Sequence, residues 1–499
     1  MAIILLVFIL VLSTLFLTFL KYKKKKPFHP PPGPKGLPFI GNLHQYDFSK
    51  PHLYLAMLAK TYGPIVSLRV GCAQMVVVQS ANLAKEVLKT QDLNFCARPS
   101  MVGMQKLSYN GLDISFSQYN EYFREVKKIC VVHLFNSKRV RSLTPMLQQE
   151  ISRMMEKISK LSSDSCMVNL SSLMSDLACK NICKIAFGRR CYDEDEDGSN
   201  FRRLLDESEE VFVDFAYSDY FPSLGWLDKL TGKSARLEKL FLDLDAFYEK
   251  IIDEHLRPHD RDNNREDLID VLLQLRKERS FTFDFTLNHV KAIVMDIFVA
   301  GTDTGSTMII WAMTELIKHP SAMKQVQDEL RNAITKTGHI SEDDLNDLVY
   351  FKAVVKETFR LHPAAPLLIA HQAIQKTSVD GYDILPNTLV FVNAWAIGRD
   401  STSWKDPESF MPERFLGSEI DFKGQDFELI PFGAGRRMCP GLHLGTLLVE
   451  LTLANLLYSF EWELPVGVNK EDVDTDTLLG ITMRKMNPLC LMPKTFPQH

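Results

Sequence analysis

The segment Pro431-Phe432-Gly433-Ala434-Gly435-Arg436-Arg437-Met438-Cys439-Pro440-Gly441 carries the residues best suited to chemistry. A cysteine framed by glycines and a proline predicts a tight, extended loop, with backbone amides free to turn toward the sulfur. Such a loop can hold a thiolate. Arg436 and Arg437 add positive charge, which lowers a thiol pKa and offers forked donors to a carboxylate-bearing ligand. The apolar run Gly441 to Leu451 predicts a buried helix that starts on the loop, and its amino-terminal dipole favours the same anion.

A second constellation interrupts an apolar stretch. Val290 to Leu316 is hydrophobic on most sides, which predicts a helix buried through the centre of the domain. Within it lies Ala300-Gly301-Thr302-Asp303-Thr304. Glycine there costs about 1 kcal/mol against alanine, and a buried aspartate costs more unless paired. Breaks of this kind accompany functional sites. A third set is Lys356-Glu357-Thr358-Phe359-Arg360-Leu361-His362-Pro363, in which Glu357 and Arg360 share a helix face. Alone, such a pair is a surface ion pair worth little.

The cysteine segment resembles the haem-binding signature of the cytochrome P-450 superfamily, matched at Phe432, Gly435, Arg437, Cys439 and Gly441. The resemblance implies that Cys439 is the axial thiolate of the iron of haem b, a ligand that favours O–O cleavage. It implies that the polar break is an oxygen-binding groove. There Ala300 and Gly301 make room beside the haem, the Thr304 hydroxyl relays protons, and Asp303 feeds that relay from solvent. Gly305 stands where the family usually has Ser or Thr, a small change in local flexibility. With Arg414, in Phe410-Met411-Pro412-Glu413-Arg414-Phe415, Glu357 and Arg360 would form a buried triad that loses stability when any member is removed. Haem carboxylate contacts depart from the family's pattern. A Trp and an Arg are replaced by Phe123 and Lys127, and a further Arg by His371, so Arg437 should carry more of that contact.

Positioning these residues calls for a large domain, and 499 residues with a formal net charge of -4 supply one. The near-neutral balance gives no reason for a nucleic-acid partner. Nine cysteines, an odd number in mostly apolar settings, suit a reducing compartment. Cys179 and Cys183 lack a second pair with zinc-site spacing. The fold class expected is mainly α with a small β region, the cytochrome P-450 fold behind one amino-terminal transmembrane helix. Helices are predicted over Leu83 to Thr90, Tyr119 to Leu134, Pro145 to Leu161, Ala235 to Leu256 and Ser321 to Thr335. A hairpin is predicted over Ile65 to Val78 around Gly71, and further strands near residues 373–392.

Residues 1–20 are apolar and long enough to span a bilayer, and lysines follow at 21 and 23–26. This reads as a signal anchor with the lysines in the cytosol, which puts the catalytic domain on the cytosolic face of the endoplasmic reticulum membrane. Residues 21–35 read as a basic, proline-rich hinge, stiff and extended, and residues 36–499 as the haem-thiolate domain. Asn169-Leu170-Ser171 would be kept from the lumen and carries no glycan.

With no flavin or dinucleotide module in the sequence, the resemblance implies electrons from an NADPH-dependent reductase. Lys127, Lys128, Lys138, Arg139, Arg141 and Arg436 offer a basic face for it. The pocket should draw on Ser100 to Ser117, Phe212 to Leu224, Val299 to Thr304, Pro363 to Ile369 and Gly480 to Met483. These are mostly apolar segments suited to a small lipophilic substrate. Stretches such as Asn393-Ala394-Trp395-Ala396-Ile397-Gly398-Arg399-Asp400 resemble the plant microsomal branch for specialised metabolites, nearest to its aldoxime-metabolising subfamily. Oxygen insertion into a terpenoid, alkaloid, phenylpropanoid or oxime is the activity implied. The alternatives are isomerase, dehydratase or C–C coupling chemistry on the same core, or a non-enzymatic membrane-anchored haem protein.

Overall fold

A computed structural model describes residues 28–188, 196–257, 266–278, 281–333, 340–478 and 480–496. The expected anchor over residues 1–20 and the lysines after it lie outside the described residues. The helix expected at the centre runs over Leu287–Lys318 and is buried along nearly its whole length, which is why it is apolar almost all round. Thr286 starts it, its N–H donating to His289 Nδ1 at 3.1 Å. This is a hydroxyl residue placed just ahead of an apolar run. Both this helix and Leu442–Ser459 are long and apolar enough to cross a membrane, yet both lie mostly inside the protein as core helices.

Most extensively packed on the central helix are Leu170–Phe187, Leu442–Ser459 and Val349–Leu361. The first comes so close at Gly301 that a Cβ there would lie 2.5 Å from Ile182 Cδ1. One turn on, Gly305 gives similar room to Leu448, 3.0 Å from where its Cβ would stand. The two glycines therefore have a packing reason, and the one at 305 does more than alter local flexibility.

Helix starts follow cap chemistry more than proline. Asn136 accepts the Arg139 N–H and opens a helix over Ser137–Ser163, so Pro145 rides inside the helix it was expected to begin. Asn169 does the same for Leu170–Phe187 by accepting from Ser172 N, which gives the Asn-Leu-Ser triplet a capping role. The helices expected over Leu83 to Thr90 and Tyr119 to Leu134 each begin as α-helix and finish in wider π turns, Glu86–Thr90 and Ile129–Leu134.

The front sheet has the order β1-β2-β7-β4. Strands β1 (Ile65–Val70) and β2 (Ala73–Val78) form the expected hairpin, and β7 (Leu389–Val392) runs parallel to β2. Strand β4 is only His371–Gln372. A small hairpin, β5 (Thr377–Val379) with β6 (Tyr382–Ile384), stands beside it. A third sheet joins β3 (Val168–Asn169), β9 (Cys490–Thr495) and β8 (Phe460–Glu463), and was not foreseen. The described part of the proline-rich hinge is pinned to this front: Ser67 donates N–H to Pro32 O and its hydroxyl to Pro31 O, while His29 O accepts from Asp383 N.

Candidate active site

The cysteine loop is held by its own backbone. Cys439 N–H donates to Phe432 O at 3.0 Å and Met438 N–H to Gly435 O at 3.2 Å. Gly435 has φ +68°, and a Cβ there would lie 1.9 Å from Leu88 O, so only glycine fits where the π turn Glu86–Thr90 crosses the loop. The Phe432 ring meets Phe359 edge-on at 5.6 Å, which ties the loop to the helix Val349–Leu361. Cys439 lies deep among protein atoms and yet its side chain is uncovered, so it fronts an internal cavity. Burial pushes its thiol pKa up, against the pull of the Gly441 amide and the Lys127 ammonium. Coordination to a metal would remove that proton outright.

The cavity has a cationic rim. Arg437 donates to the carbonyls of Cys96 (2.9 Å), Ile114 (3.3 Å) and Ser117 (2.6 Å), and its guanidinium lies 3.9 Å from the centre of the Phe123 ring. Phe123 thus stacks where a tryptophan would also donate. Arg98, which the sequence reading passed over, donates to Ser115 O at 2.9 Å and to Ile369 O and Ala370 O at 2.8 Å. Burial and mutual repulsion pull Arg98 well below the ordinary arginine range, while burial brings Arg437 to about 10. Among the described residues neither forms an ion pair. The buried Ser117 hydroxyl beside them has no partner.

Two expected members of that rim behave differently. Lys127 donates to Arg436 O, and burial with the nearby Arg437 charge lowers it to about 8. His371 is buried, with Nδ1 2.9 Å from Phe95 O, and burial beside Arg98 drives it well below its usual value. It is therefore neutral, with Nδ1–H spent on that carbonyl. Below the rim, Asp296 Oδ2 accepts from Ile114 N at 2.7 Å and Asp113 accepts from Phe116 N. Burial and each other's charge keep Asp113 protonated.

The central helix carries the second set of expected site residues. Ala300 and Thr304, one turn apart, are uncovered in the middle of an otherwise buried helix, and Thr304 Oγ1 donates to Ala300 O at 2.8 Å. Asp303 is turned elsewhere. Its Oδ2 lies 3.2 Å from Arg484 Nε, and burial still raises its pKa. Arg484 lies one residue beyond the expected pocket segment Gly480 to Met483. Met483 is anchored by Trp311 Nε1–H to its carbonyl and by its own N–H to Ala364 O.

The charged set Glu357, Arg360 and Arg414 is brought together in full. Glu357 accepts from Arg360 Nε and Nη2, both at 2.7 Å, from Arg414 Nε at 3.0 Å and from Met411 N at 2.7 Å. Arg360 spends its remaining donors on the carbonyls of Gly398, Pro407 and Ser409. The basic face is less uniform. Arg139 is engaged with Glu266 and the Asp267 carbonyl, Arg141 with Glu342, and Arg436 with Asp92, which leaves Lys128 and Lys138 exposed.

These features fit a flat, dianionic ring with a metal at its centre: an uncovered sulfur, an opened helix face, and two neighbouring arginines in no ion pair among the described residues. Comparison with known proteins agrees. The family model for cytochrome P-450 matches residues 31–491. The chain is 46% identical to 6,7,8-trihydroxycoumarin synthase of Pastinaca sativa, over 97% of both chains. It is 46% identical to 5-OH-xanthotoxin synthase of Ammi majus, over 99% of this chain and 98% of that one. With cytochrome P-450 71B10 of Arabidopsis thaliana the identity is 44% over 97% of each. A zebra fish cytochrome P-450 structure with progesterone superposes with a TM-score of 0.75 at 26% identity, covering 89% of this chain and 99% of that one. The chain belongs to the cytochrome P-450 family, as a haem-thiolate monooxygenase of plant specialised metabolism.

Proposed function

We propose that Cys439 would supply the thiolate that holds the haem iron and that the enzyme hydroxylates a small, oxygen-bearing aromatic metabolite of the coumarin type. The observation that carries the site is the uncovered Cys439 sulfur deep in the protein, and the uncovered Ala300 and Thr304 on the buried central helix support a shared cavity. The named relatives support the substrate, favouring coumarins over the aldoximes, terpenoids and alkaloids of the wider branch. Phe116 and Phe212, with ring centres 5.3 Å apart in two expected pocket segments, suit a planar aromatic ligand.

Haem, when bound, supplies dioxygen activation; the chain's residues hold it and deliver protons. Arg98 and Arg437 would hold its carboxylates, with Lys127 at the rim and His371 as a neutral neighbour. Phe432, Gly435 and Gly441 shape the cysteine loop, and Ala300 and Gly301 form the facing groove. Thr304 Oγ1 releases the Ala300 carbonyl and donates into the cavity, and Asp303 restores its proton after leaving Arg484. The triad Glu357, Arg360 and Arg414 keeps the loop in place.

Residues 1–20 form the membrane anchor, 21–35 the hinge, and 36–499 the catalytic domain on the cytosolic face of the endoplasmic reticulum. The apolar length and the lysines after it support this. Electrons come from the NADPH-dependent reductase, docked around the exposed Lys128 and Lys138.

The test is turnover in microsomes holding the chain and a plant reductase, with NADPH and a panel of simple coumarins and furanocoumarins. A product one oxygen heavier supports the reading, and Thr304→Ala should cut its yield per NADPH by roughly tenfold or more. Loss of water or hydrogen from the precursor would favour isomerase, dehydratase or coupling chemistry instead. Absence of the red-shifted Soret band in the reduced, carbon-monoxide-treated protein would overturn the cysteine assignment.

A further inference from the structure

Beside the cavity, three buried polar atoms have no hydrogen-bond partner among the described residues: Glu209 Oε2, Asp303 Oδ2 and Arg484 Nε. They come from three separate parts of the chain. Glu209 lies on the helix Glu196–Val213, one turn before the pocket residue Phe212. Asp303 lies on the central helix, and Arg484 follows the anchored Met483. Asp303 and Arg484 are 3.2 Å apart without the alignment of a hydrogen bond, and Arg484 Nη1 reaches Asp206 at 3.5 Å. Asp206 is half exposed and opens the cluster to solvent. Buried polar atoms left unpaired in this way are satisfied by ordered water.

We propose that Glu209 is the entry acid of the proton path into the active site, passing protons from solvent near Asp206, over bridging water held by Arg484, to Asp303. The inference rests on the reading of Asp303 and Thr304 as the proton relay, and adds the source that this relay needs. Inserting one atom of dioxygen and reducing the other to water consumes two protons and two electrons, the electrons coming from the reductase. Asp303 is buried and cannot take protons from bulk water directly. Glu209 gives its carboxyl proton to the bridging water, which passes one to the Asp303 carboxylate. Asp303 then protonates Thr304 Oγ1 as that hydroxyl gives its own proton into the cavity, and Glu209 is reprotonated from the Asp206 side. Glu209 touches neither haem nor substrate and acts only through Asp303.

The groups facing Glu209 are Asp303 from the central helix, Arg484 from the carboxyl-terminal segment and Asp206 from its own helix. Burial, reinforced by the Asp303 charge, raises its carboxyl to about 7, so it can both hold and release a proton near neutrality. A purely structural acid would need neither the unpaired oxygen nor the opening to solvent.

The test uses the haem-loaded protein with reductase, NADPH and dioxygen and no organic substrate, since oxygen reduction to water draws on the same protons. Glu209→Gln should keep the carbon-monoxide spectrum and slow NADPH oxidation by about tenfold. It should also flatten the decline that the wild type shows as pH rises through about 7. Glu209→Asp should restore part of the rate. Independently of turnover, the infrared difference between resting wild type and Glu209→Gln should isolate a carboxylic C=O band titrating near that pH. A wild-type rate and pH profile in Glu209→Gln, or no such band, overturns the proposal. If Asp303→Asn and Thr304→Ala slow the reaction while Glu209→Gln does not, only the entry route fails. If none of the three matters, the relay reading itself fails.

Discussion

Replacing Glu357 by alanine should yield protein that folds but does not hold haem. The carboxylate accepts two N–H groups from Arg360, one from Arg414 and one from the Met411 backbone. Arg360 and Glu357 side chains are both 0% exposed, so removing the acid leaves an uncompensated buried guanidinium. Breaking a buried pair on one side costs about 3–5 kcal/mol. Unfolding entropy of about 2.1 cal/mol/K per residue gives a domain of this size roughly 1 kcal/mol/K, so the melting midpoint should fall by only about 3–5 °C. The local effect is larger, because Phe359 sits between Glu357 and Arg360 and presses on Phe432 of the cysteine loop. If half of the loss falls on the haem-holding loop, haem affinity drops about tenfold or more. The assay is haem content per protein, from the reduced carbon-monoxide difference spectrum during haem titration. Arg360→Lys should fail in the same direction, since lysine brings three donors where Arg360 uses five. Normal haem content and an unchanged midpoint in Glu357→Ala would refute the reasoning.

Arg98→Met should lower haem retention roughly tenfold, measured by transfer to an apo-acceptor, while His371→Phe should do less because that imidazole is neutral and committed to Phe95 O. Equal losses would show that His371 carries charge. Gly301→Ala should cost about 1–3 kcal/mol in thermal unfolding by pushing on Ile182. Adding Ile182→Val, which removes the offending Cδ1, should recover part of it, and additive losses would count against the contact. Asp113 and Asp296 both have raised carboxyl pKa values, Asp296 to about 6, chiefly through burial. Their contribution is present below the ordinary carboxylate range and is lost as pH rises through the raised values. Asp113→Asn stays neutral and keeps an acceptor for Phe116 N–H. It should therefore raise the melting midpoint relative to wild type near pH 9 and leave it unchanged at about pH 3, below the ordinary carboxylate range; a constant difference across pH would sink this account.

What could be read from the sequence was local. The cysteine loop and the polar break in the central helix each declare themselves within about one or two helical turns, through residue types at odds with their surroundings, whereas Glu357 with Arg360 showed only a shared helix face. Arg414 came only with the family resemblance, and the structure gives its physical reason, the second guanidinium on Glu357. Residues that work by long-range assembly stayed hidden. Arg98 sits in an unremarkable Cys96-Ala97-Arg98-Pro99 stretch, and its role appears only when the carbonyls of Ser115, Ile369 and Ala370 close around it. Glu209 lies in an acidic helical run indistinguishable from a solvated face. Asp296 offered a missed signal: it is an acid seven residues before Asp303 on the same apolar helix, hence near the same face. The small third sheet escaped because strands of two to six residues carry too little alternation to read.

The charges around the cavity make sense only as one set. Arg98 and Arg437 are buried beside each other, which without an anion is unfavourable for both, as their lowered pKa values express. Asp113 is near enough to help, yet burial, reinforced by the charge of Asp296, raises its carboxyl well above the ordinary range. His371 is held neutral by the same arginines. The protein has thus kept its own acid uncharged and its histidine uncharged, leaving two fixed positive charges and a partly titrating Lys127 facing inward. The two carboxylates of haem answer the two fixed charges. Binding should therefore raise the pKa of His371 and Lys127, so that haem uptake is accompanied by proton uptake at those two groups, opposing the proton released from Cys439.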